Sequence, residues 1–300
     1  MKEIYALQDA YHCGELFYKE AIARGWDAHL IQHPSQLEIE QSLFFARISQ
    51  EHEQREKEIP FIQEGIKKNM VFIPDVQLLL EYEDKLKQAD RYTGWMPKTT
   101  ICYSKPQALN WLSTITYPFI SKSRTGSAST NVRFIQTEEQ ALKECTQVFS
   151  REGMMVPHKL GEGIQQGYLI WQQFIPNNSY DYRACIIGNS IMLLRRNNRI
   201  NVPFASGSGN IEVITELNTE TKEVLDFSFK FFNNFNMKWG GIDLVKDYTT
   251  NSWKMLETTI GWKQTAYAKC AFFTQDGTNT GDSGRYIWTV FCDYLERNIL

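Results

Sequence analysis

Lys122 closes the apolar run Phe119-Ile120-Ser121-Lys122 and is followed at once by Ser-Arg-Thr-Gly-Ser-Ala-Ser-Thr at 123–130. Small residues let backbone N–H groups approach phosphate oxygens, and an adjacent lysine neutralises them. The lysine precedes the glycine, so this is not a Gly-x-x-x-x-Gly-Lys loop. A small-residue turn after a strand also has a plain structural reading, so the segment gains weight only from its neighbours. Further along, Asp-Tyr-Arg-Ala-Cys-Ile-Ile-Gly-Asn at 181–189 reads as a hairpin strand and turn. A two-residue turn at Gly188-Asn189 pairs Ile187 with Ser190 and sets Arg183 opposite Leu194. Side chains alternate, so Asp181, Arg183, Leu194 and Arg196 share one face, with Tyr182 and Arg195 on the other. Two arginines on one face suit a phosphoryl group in transfer or an anionic substrate. A solvated face with Arg183 paired to Asp181 is the alternative.

A second hairpin turns about residues 247–252. Any register pairing odd with odd positions places Asp243, Glu257 and Thr259 on one face. Two carboxylates beside a hydroxyl form an oxygen-ligand set for Mg²⁺. Between Lys122 and the hairpins, residues 168–175 form an apolar strand ending in Gln172-Gln173-Phe174-Ile175. Such a strand edge can read an adenine ring between apolar side chains.

The elements carrying these groups follow from the hydrophobic periodicity. Strands are expected at 4–7, 28–31, 43–48 and 71–73, with helices at 14–24 and 49–68, the second broken near Pro60. This alternation indicates a small parallel α/β unit, in which ligands gather at the carboxyl ends of strands. Asp9, Tyr11 and His12 then follow the first strand and Arg47 ends the third, unless these are ordinary loop residues. A helix over 75–90 leads through Gly94 and Pro97 to a strand at 99–103 and a helix at 105–112. The strand at 119–122, the small-residue loop at 123–131 and a helix at 137–149 come next. A Gly-rich stretch at 161–167 precedes the strand-rich section with its two hairpins, a helix at 219–235 and a final helix from residue 286. No internal repeat is present.

The 300 residues, 42% hydrophobic and 22% charged, describe an ordinary soluble globular protein of about two domains. A formal net charge of −3 gives no general electrostatic case for nucleic acid, although a local basic groove would be compatible with it. The six cysteines are far apart and lie in apolar runs, which indicates reduced, buried thiols. The histidines show no metal-binding spacing. The N-terminus lacks a signal-peptide pattern, and no stretch approaches the roughly 20 apolar residues of a membrane span. The expectation is a cytoplasmic protein without a membrane partner.

Taken in chain order, the chemical segments resemble the ATP-grasp superfamily, most closely its carboxylate–amine ligases of the glutathione synthetase and ribosomal-protein-glutamate-ligase type. The resemblance covers residues 75–262, with the N-terminal α/β unit standing where that family has its pre-grasp domain. It implies the division 1–90 (pre-grasp), 91–167 (lysine- and lid-bearing) and 168–300 (metal-bearing). Lys85 of Glu-Asp-Lys-Leu and Lys122 match the family's two phosphate-binding lysines. The stretch 123–130, with Gly126 and Ser127, matches its flexible lid. Gln172, Gln173, Phe174 and Ile175 look like the adenine hinge, with Gln173 where an acid is common.

Asp-x-Arg-(x)₄-Gly places Arg183 and Arg196 as the arginines facing the γ-phosphate and the acyl phosphate. Asn201, with glycines at 207 and 209, resembles the asparagine-and-glycine loop. Asp243 and Glu257 match the metal-binding carboxylates, and Thr259 stands at an asparagine position. Ile260-Gly261-Trp262 replaces the usual Ser-Pro-Gly. The resemblance implies an ATP- and Mg²⁺- (or Mn²⁺-) dependent enzyme. It would join a small-molecule or peptide carboxylate to an amine through an acylphosphate, releasing ADP and phosphate. Positioning and charge neutralisation carry such chemistry. His12 and Arg47 are the expected substrate wall, and a homodimer is compatible with the sequence. The alternatives are a kinase of the same fold and a non-catalytic ATP-binding protein.

Overall fold

Parallel strands need long crossovers, and the first quarter of the chain supplies them. In the computed structural model, which describes residues 3–126, 129–157, 162–199, 210–262, 267–282 and 284–300, this region runs β1 (Ile4–Leu7), α1 (Cys13–Ala23), β2 (Ala28–Ile31), β3 (Leu43–Phe45), α2 (His52–Lys67) and β4 (Val71–Ile73). The strands form a parallel sheet in the order β2-β1-β3-β4. β3 stops three residues short of the expected end, although Ala46 N–H still donates to Ile73 O at 2.9 Å. α2 passes through Pro60 without a break. Pro60 and Glu56, whose carbonyl loses its intrahelical donor, are both exposed, so water can replace the missing bond.

The single helix expected over 75–90 is two, α3 (Val76–Glu81) and α4 (Lys85–Arg91). Glu83 between them has φ 56, and Asp84 starts the second by accepting from Lys87 N–H at 3.3 Å. The next segment contains β5 (Thr99–Cys102), α5 (Lys105–Leu112), β6 (Phe119–Lys122), β7 (Val132–Ile135), α6 (Glu138–Val148), β8 (Met154–Met155), β9 (Ile164–Gln165) and β10 (Leu169–Gln173). β5-β10-β6-β7 is an antiparallel sheet, and β7 is a strand the sequence reading did not anticipate. Its own core collects Trp171, Phe119, Leu169, Val148 and Ala108. Beside them the buried Glu144 accepts from Ser121 Oγ (2.7 Å), Trp171 Nε1 (2.9 Å) and Arg133 Nε (2.5 Å).

The rest is β11 (Tyr180–Ile187), β12 (Ser190–Asn197), β13 (Ile211–Val213), α7 (Thr219–Asn234), β14 (Trp239–Asp247), β15 (Ser252–Thr259) and α8 (Ile287–Asn298). Its sheet has the order β13-β12-β11-β14-β15. The first hairpin has the expected register, Ile187 opposite Ser190 and Arg183 opposite Leu194. The second pairs Asp243 with Glu257 and Gly241 with Thr259, then shifts register between Asp243 and Leu244.

The N-terminal sheet shares its core with this one: Tyr5 and Phe44 join Tyr182, Ile242 and Phe231 in one buried cluster. Phe45 meets Trp239 edge-on at 5.6 Å, and Trp239 stacks on Trp288 of α8 at 4.9 Å. The two ends of the chain meet where Arg24 binds Asp293 (2.7 Å) and Glu296 (3.0 Å) of α8. All six cysteines are buried. Among the described residues no helix is long and apolar enough to cross a membrane.

Candidate active site

β6 and β10 of one antiparallel sheet and β11, β14 and β15 of the other wall a cleft holding about 860 Å³ of atom-free space, part of it open to solvent. Its lining includes Lys85, Lys122, Gly126, Gln172, Gln173, Phe174, Ile175, Asp243 and Glu257. Residues separated by up to 172 positions in sequence therefore meet at one surface.

The cationic side is built by an edge of β6 and the start of α4. Lys122 is 8% exposed and its Nζ donates to Leu256 O at 3.4 Å. Burial pushes its ammonium down to about 8, although Glu257 nearby favours the charge. Lys85 Nζ donates to Gly126 O at 2.6 Å and lies 3.8 Å from Glu257 Oε2. Gly126 is held at φ 128, and a Cβ there would meet Asn131 Nδ2 at 2.4 Å, so the loop admits only glycine at this point. Lys85 N–H also donates to Arg124 O at 2.8 Å, and Arg124 Nη2 to Asp84 Oδ2 at 2.7 Å. The loop after Lys122 is thus tied to the helix that carries the other lysine.

The anionic side is the sheet face formed by the two hairpins. Asp243 is bracketed by Arg183 (Nε 2.5 Å, Nη2 2.8 Å) and Arg196 (Nη2 2.7 Å). Arg196 also binds Asp181 through Nε at 2.6 Å and Nη2 at 2.8 Å. Burial opposes ionisation at Asp243, but the two guanidinia outweigh it and hold the carboxyl well below its usual range. Asp181 moves the other way, raised by burial and by the Asp243 charge despite Arg196. Arg183 is therefore paired with Asp243 and not with Asp181. Glu257, opposite Asp243 in the ladder, accepts no hydrogen bond among the described residues.

A magnesium ion held with phosphates takes one or two carboxylates. Glu257 offers uncommitted lone pairs, and Asp243 offers its own in competition with two arginines. The donor set fits such an ion, with Glu257 as the stronger arm.

Part of the cleft lining is apolar: Ile120, Val132, Ile175, Val245 and Leu256. Gln172 is buried, with Nε2 donating to Thr99 Oγ1 at 2.8 Å, and Phe174 packs on Phe134 at 4.9 Å.

Other expected site residues lie elsewhere. Thr259, Arg183 and Arg196 do not line the cleft: the Thr259 hydroxyl donates to Gly261 O at 2.8 Å, and the two arginines meet the cleft only through Asp243 and Asp181. His12 is exposed and paired with Glu15 at 3.1 Å. Arg47 is buried behind Tyr11. Ser127 and Asn201 fall outside the described residues.

Among the cleft residues not anticipated are Asn178 and Asn198. Asn178 Nδ2 donates to Lys246 O at 3.1 Å, and Asn198 Nδ2 to Asn178 O at 2.8 Å, joining the segment after Ile175 to β14 and the end of β12. In sequence both read only as turn amides, and nothing local separates them from such.

No family model matches the chain, and none of the curated proteins does. Solved structures do. A RimK domain ATP-grasp protein from Sphaerobacter thermophilus DSM 20745 superposes with TM-score 0.63 at 13% identity, over 97% of this chain and 98% of that one. D-alanine–D-alanine ligase from Bacillus anthracis gives TM-score 0.59 at 12% identity, over 99% and 97%. The ATP-grasp ligase PsnB, solved with a minimal precursor, Mg and ADP, gives 0.58 at 12%, over 98% and 97%. Two antiparallel sheets closing on a cleft, a parallel α/β unit before them and end-to-end superposition agree: this chain has the ATP-grasp fold.

Proposed function

We propose that this protein is an ATP- and Mg²⁺-dependent ligase that joins a carboxylate to an amine through an acylphosphate, releasing ADP and phosphate. One observation carries the reading: Lys85, Lys122, Asp243 and Glu257 line a single cleft that is also lined by the apolar Ile120, Val132, Ile175, Val245 and Leu256. In this reading Ile120, Val132, Ile175 and Leu256 hold adenine, and Gln172 to Ile175 form the hinge. Lys85 and Lys122 neutralise the phosphates, and the loop with Gly126 and Ser127 covers them. Glu257 and Asp243 hold the metal, which would balance phosphate charge when bound.

Arg183 and Arg196 are the catalytic pair. Their geometry is pre-set by Asp243 and Asp181, so guanidinium donors are in place before charge develops on the transferring group. The substrate carboxylate attacks the γ-phosphorus, ADP departs, and the amine then displaces phosphate from the acylphosphate. His12, Arg47, Asn201 and Thr259 are assigned to the surrounding substrate wall and metal environment. The division at 1–90, 91–167 and 168–300 belongs to the same reading. The likeness to a D-alanine–D-alanine ligase and to a precursor-bound ligase supports small-molecule or peptide substrates.

The test is phosphate release from ATP and Mg²⁺ across a panel of amino acids and peptides, with mass spectrometry of the products. Release requiring both an acid and an amine, with an amide as product, is expected. A phosphorylated hydroxyl as product would make it a kinase, and ATP binding with no turnover would make it a non-catalytic nucleotide binder.

A further inference from the structure

β15 carries Glu257 at the edge of its sheet, paired with β14 on one side and with no strand on the other. The ladder is also broken beside that carboxylate. Asp243 lies opposite Glu257 and Leu244 opposite Met255, so Leu256 is an extra residue between the two pairs. Such a bulge leaves backbone groups unpaired and re-aims the side chains next to it. The ladder alone therefore does not fix where Glu257 points.

Three groups bind the open side of the strand. Met255 N–H donates to Trp95 O at 2.9 Å, and Leu256 O accepts from Lys122 Nζ at 3.4 Å. Thr258 N–H, directly after Glu257, donates to Gln88 Oε1 at 3.1 Å. The lysine bond is the longest of the three, and in the ligase reading that ammonium has phosphates to neutralise. On the C-terminal side of Glu257 the strand is held by Gln88.

Gln88 is 2% exposed and does not line the cleft. Its amide is used at both ends, since Nε2 donates to Glu81 O at 3.2 Å. One partner is a donor and the other an acceptor, so only one orientation of the amide satisfies both. Glu81 ends α3, and its carboxylate accepts from Arg91 Nη1 at 3.1 Å and from the Tyr92 hydroxyl. These bonds close the joint between α3 and α4 at Glu83. On α4, Gln88 follows Lys85 by three residues and shares its face. Lys85 Nζ lies 3.8 Å from Glu257 Oε2, while Gln88 holds the next backbone N–H. One short helix thus meets both the carboxylate and the backbone beside it.

We propose that Gln88 is a positioning residue that holds Glu257 in register with Lys85, so that metal and phosphate are met at a fixed separation. It acts through β15 and touches neither substrate nor metal. The assignment rests on the reading of Glu257 as the metal arm, and the experiment separates the two.

The test uses the full chain. Mn²⁺ binding in the presence of a saturating non-hydrolysable ATP analogue is followed by the electron paramagnetic resonance of free Mn²⁺, and metal-free ATP binding by calorimetry in EDTA. Gln88→Met is close in length but has no amide. Gln88→Asn keeps the amide but is one carbon too short to span both partners. Each should raise the Mn²⁺ Kd at least about tenfold, the scale of one buried hydrogen bond, and leave the metal-free ATP Kd within about twofold. Both variants should also melt earlier, because Thr258 N–H and Glu81 O lose their partner. A merely structural role would lower the melting temperature without splitting the two affinities.

An unchanged Mn²⁺ Kd in a folded variant, or equal weakening of Mn²⁺ and ATP, overturns the assignment. Where Gln88→Met fails to fold, Gln88→Asn decides it. Glu257→Gln is the control and should lose Mn²⁺ affinity at least as strongly. Retained Mn²⁺ affinity in that control overturns the metal reading and the Gln88 role together. Loss in the control without loss in the Gln88 variants rejects the Gln88 role alone.

Discussion

Lys122 shows how one residue ties binding to pH. Burial lowers it to about 8, against about 10.4 in an unfolded chain. Between these values the unfolded chain holds more protons, so this group makes the ligand-free protein more stable as pH rises through that window. Triphosphate binding needs the ammonium and runs in the opposite sense. Metal-free ATP affinity is expected to weaken as pH rises through about 8, where an ordinary lysine would still be charged. ATP titrations with parallel melting curves across that range check both signs, and Lys122→Ala should abolish the pH-dependent part. The same variant should lose most of the ATP-induced stabilisation, which for wild type reaches about 2.7 kcal/mol at a hundredfold excess over Kd.

Glu257→Gln removes charge at nearly constant size. Turnover is expected to fall at least about a hundredfold, the scale of losing one preorganised electrostatic group, with the melting temperature unchanged. Normal turnover in that variant would mean the metal is held elsewhere. Asp243 and Glu257 were legible in sequence because strand alternation puts both on one face, and Lys122 because it ends an apolar strand just before a small-residue loop. Asn178 and Asn198 were not, because an amide in a turn looks the same whether it caps a loop or lines a cleft.

At the scale of elements, Glu144 of α6 holds the lysine-bearing sheet together. Ser121, Arg133 and Trp171, from β6, β7 and β10, all donate to it. Glu144→Ala strands these donors and is expected to cost about 2–4 kcal/mol in urea unfolding. A loss below about 1 kcal/mol would show that the sheet does not depend on this carboxylate. The first hairpin's register was readable because a Gly-Asn turn fixes every pair behind it, whereas the second pairs odd with odd only beyond the register shift between Asp243 and Leu244. The break between α3 and α4 was not, since it depends on Glu83 adopting a left-handed conformation that its residue type does not advertise. β7 was missed for a similar reason: Val-Arg-Phe-Ile is too short to separate from the loop before it until β6 pairs with it.

For the molecule as a whole, chain order carried the reading. Each chemical segment is ambiguous alone, and their sequence from lysine to lid to hinge to carboxylates restricts the fold far more than any one of them. The joining of the N-terminal unit to the rest was hidden, because it depends on pairs such as Arg24 with Asp293 and Glu296, about 270 residues apart. Arg24→Ala is expected to lower global stability by about 1–3 kcal/mol, as for a partly buried charged network, while ATP affinity stays unchanged. A drop in ATP affinity without a drop in stability would show that this contact serves the cleft and not the closure of the chain.

The central claim is that two lysines from one sheet and its neighbouring helix, and two acids from the other sheet, surround a single triphosphate. A crystal structure with a non-hydrolysable ATP analogue and Mn²⁺, using the anomalous signal to place the metal, tests this most directly. The account predicts Mn²⁺ on Glu257, phosphates between it and Lys85 and Lys122, and the base against Ile120 and Leu256. Nucleotide bound outside this cleft, or metal on carboxylates that exclude Glu257, would contradict it.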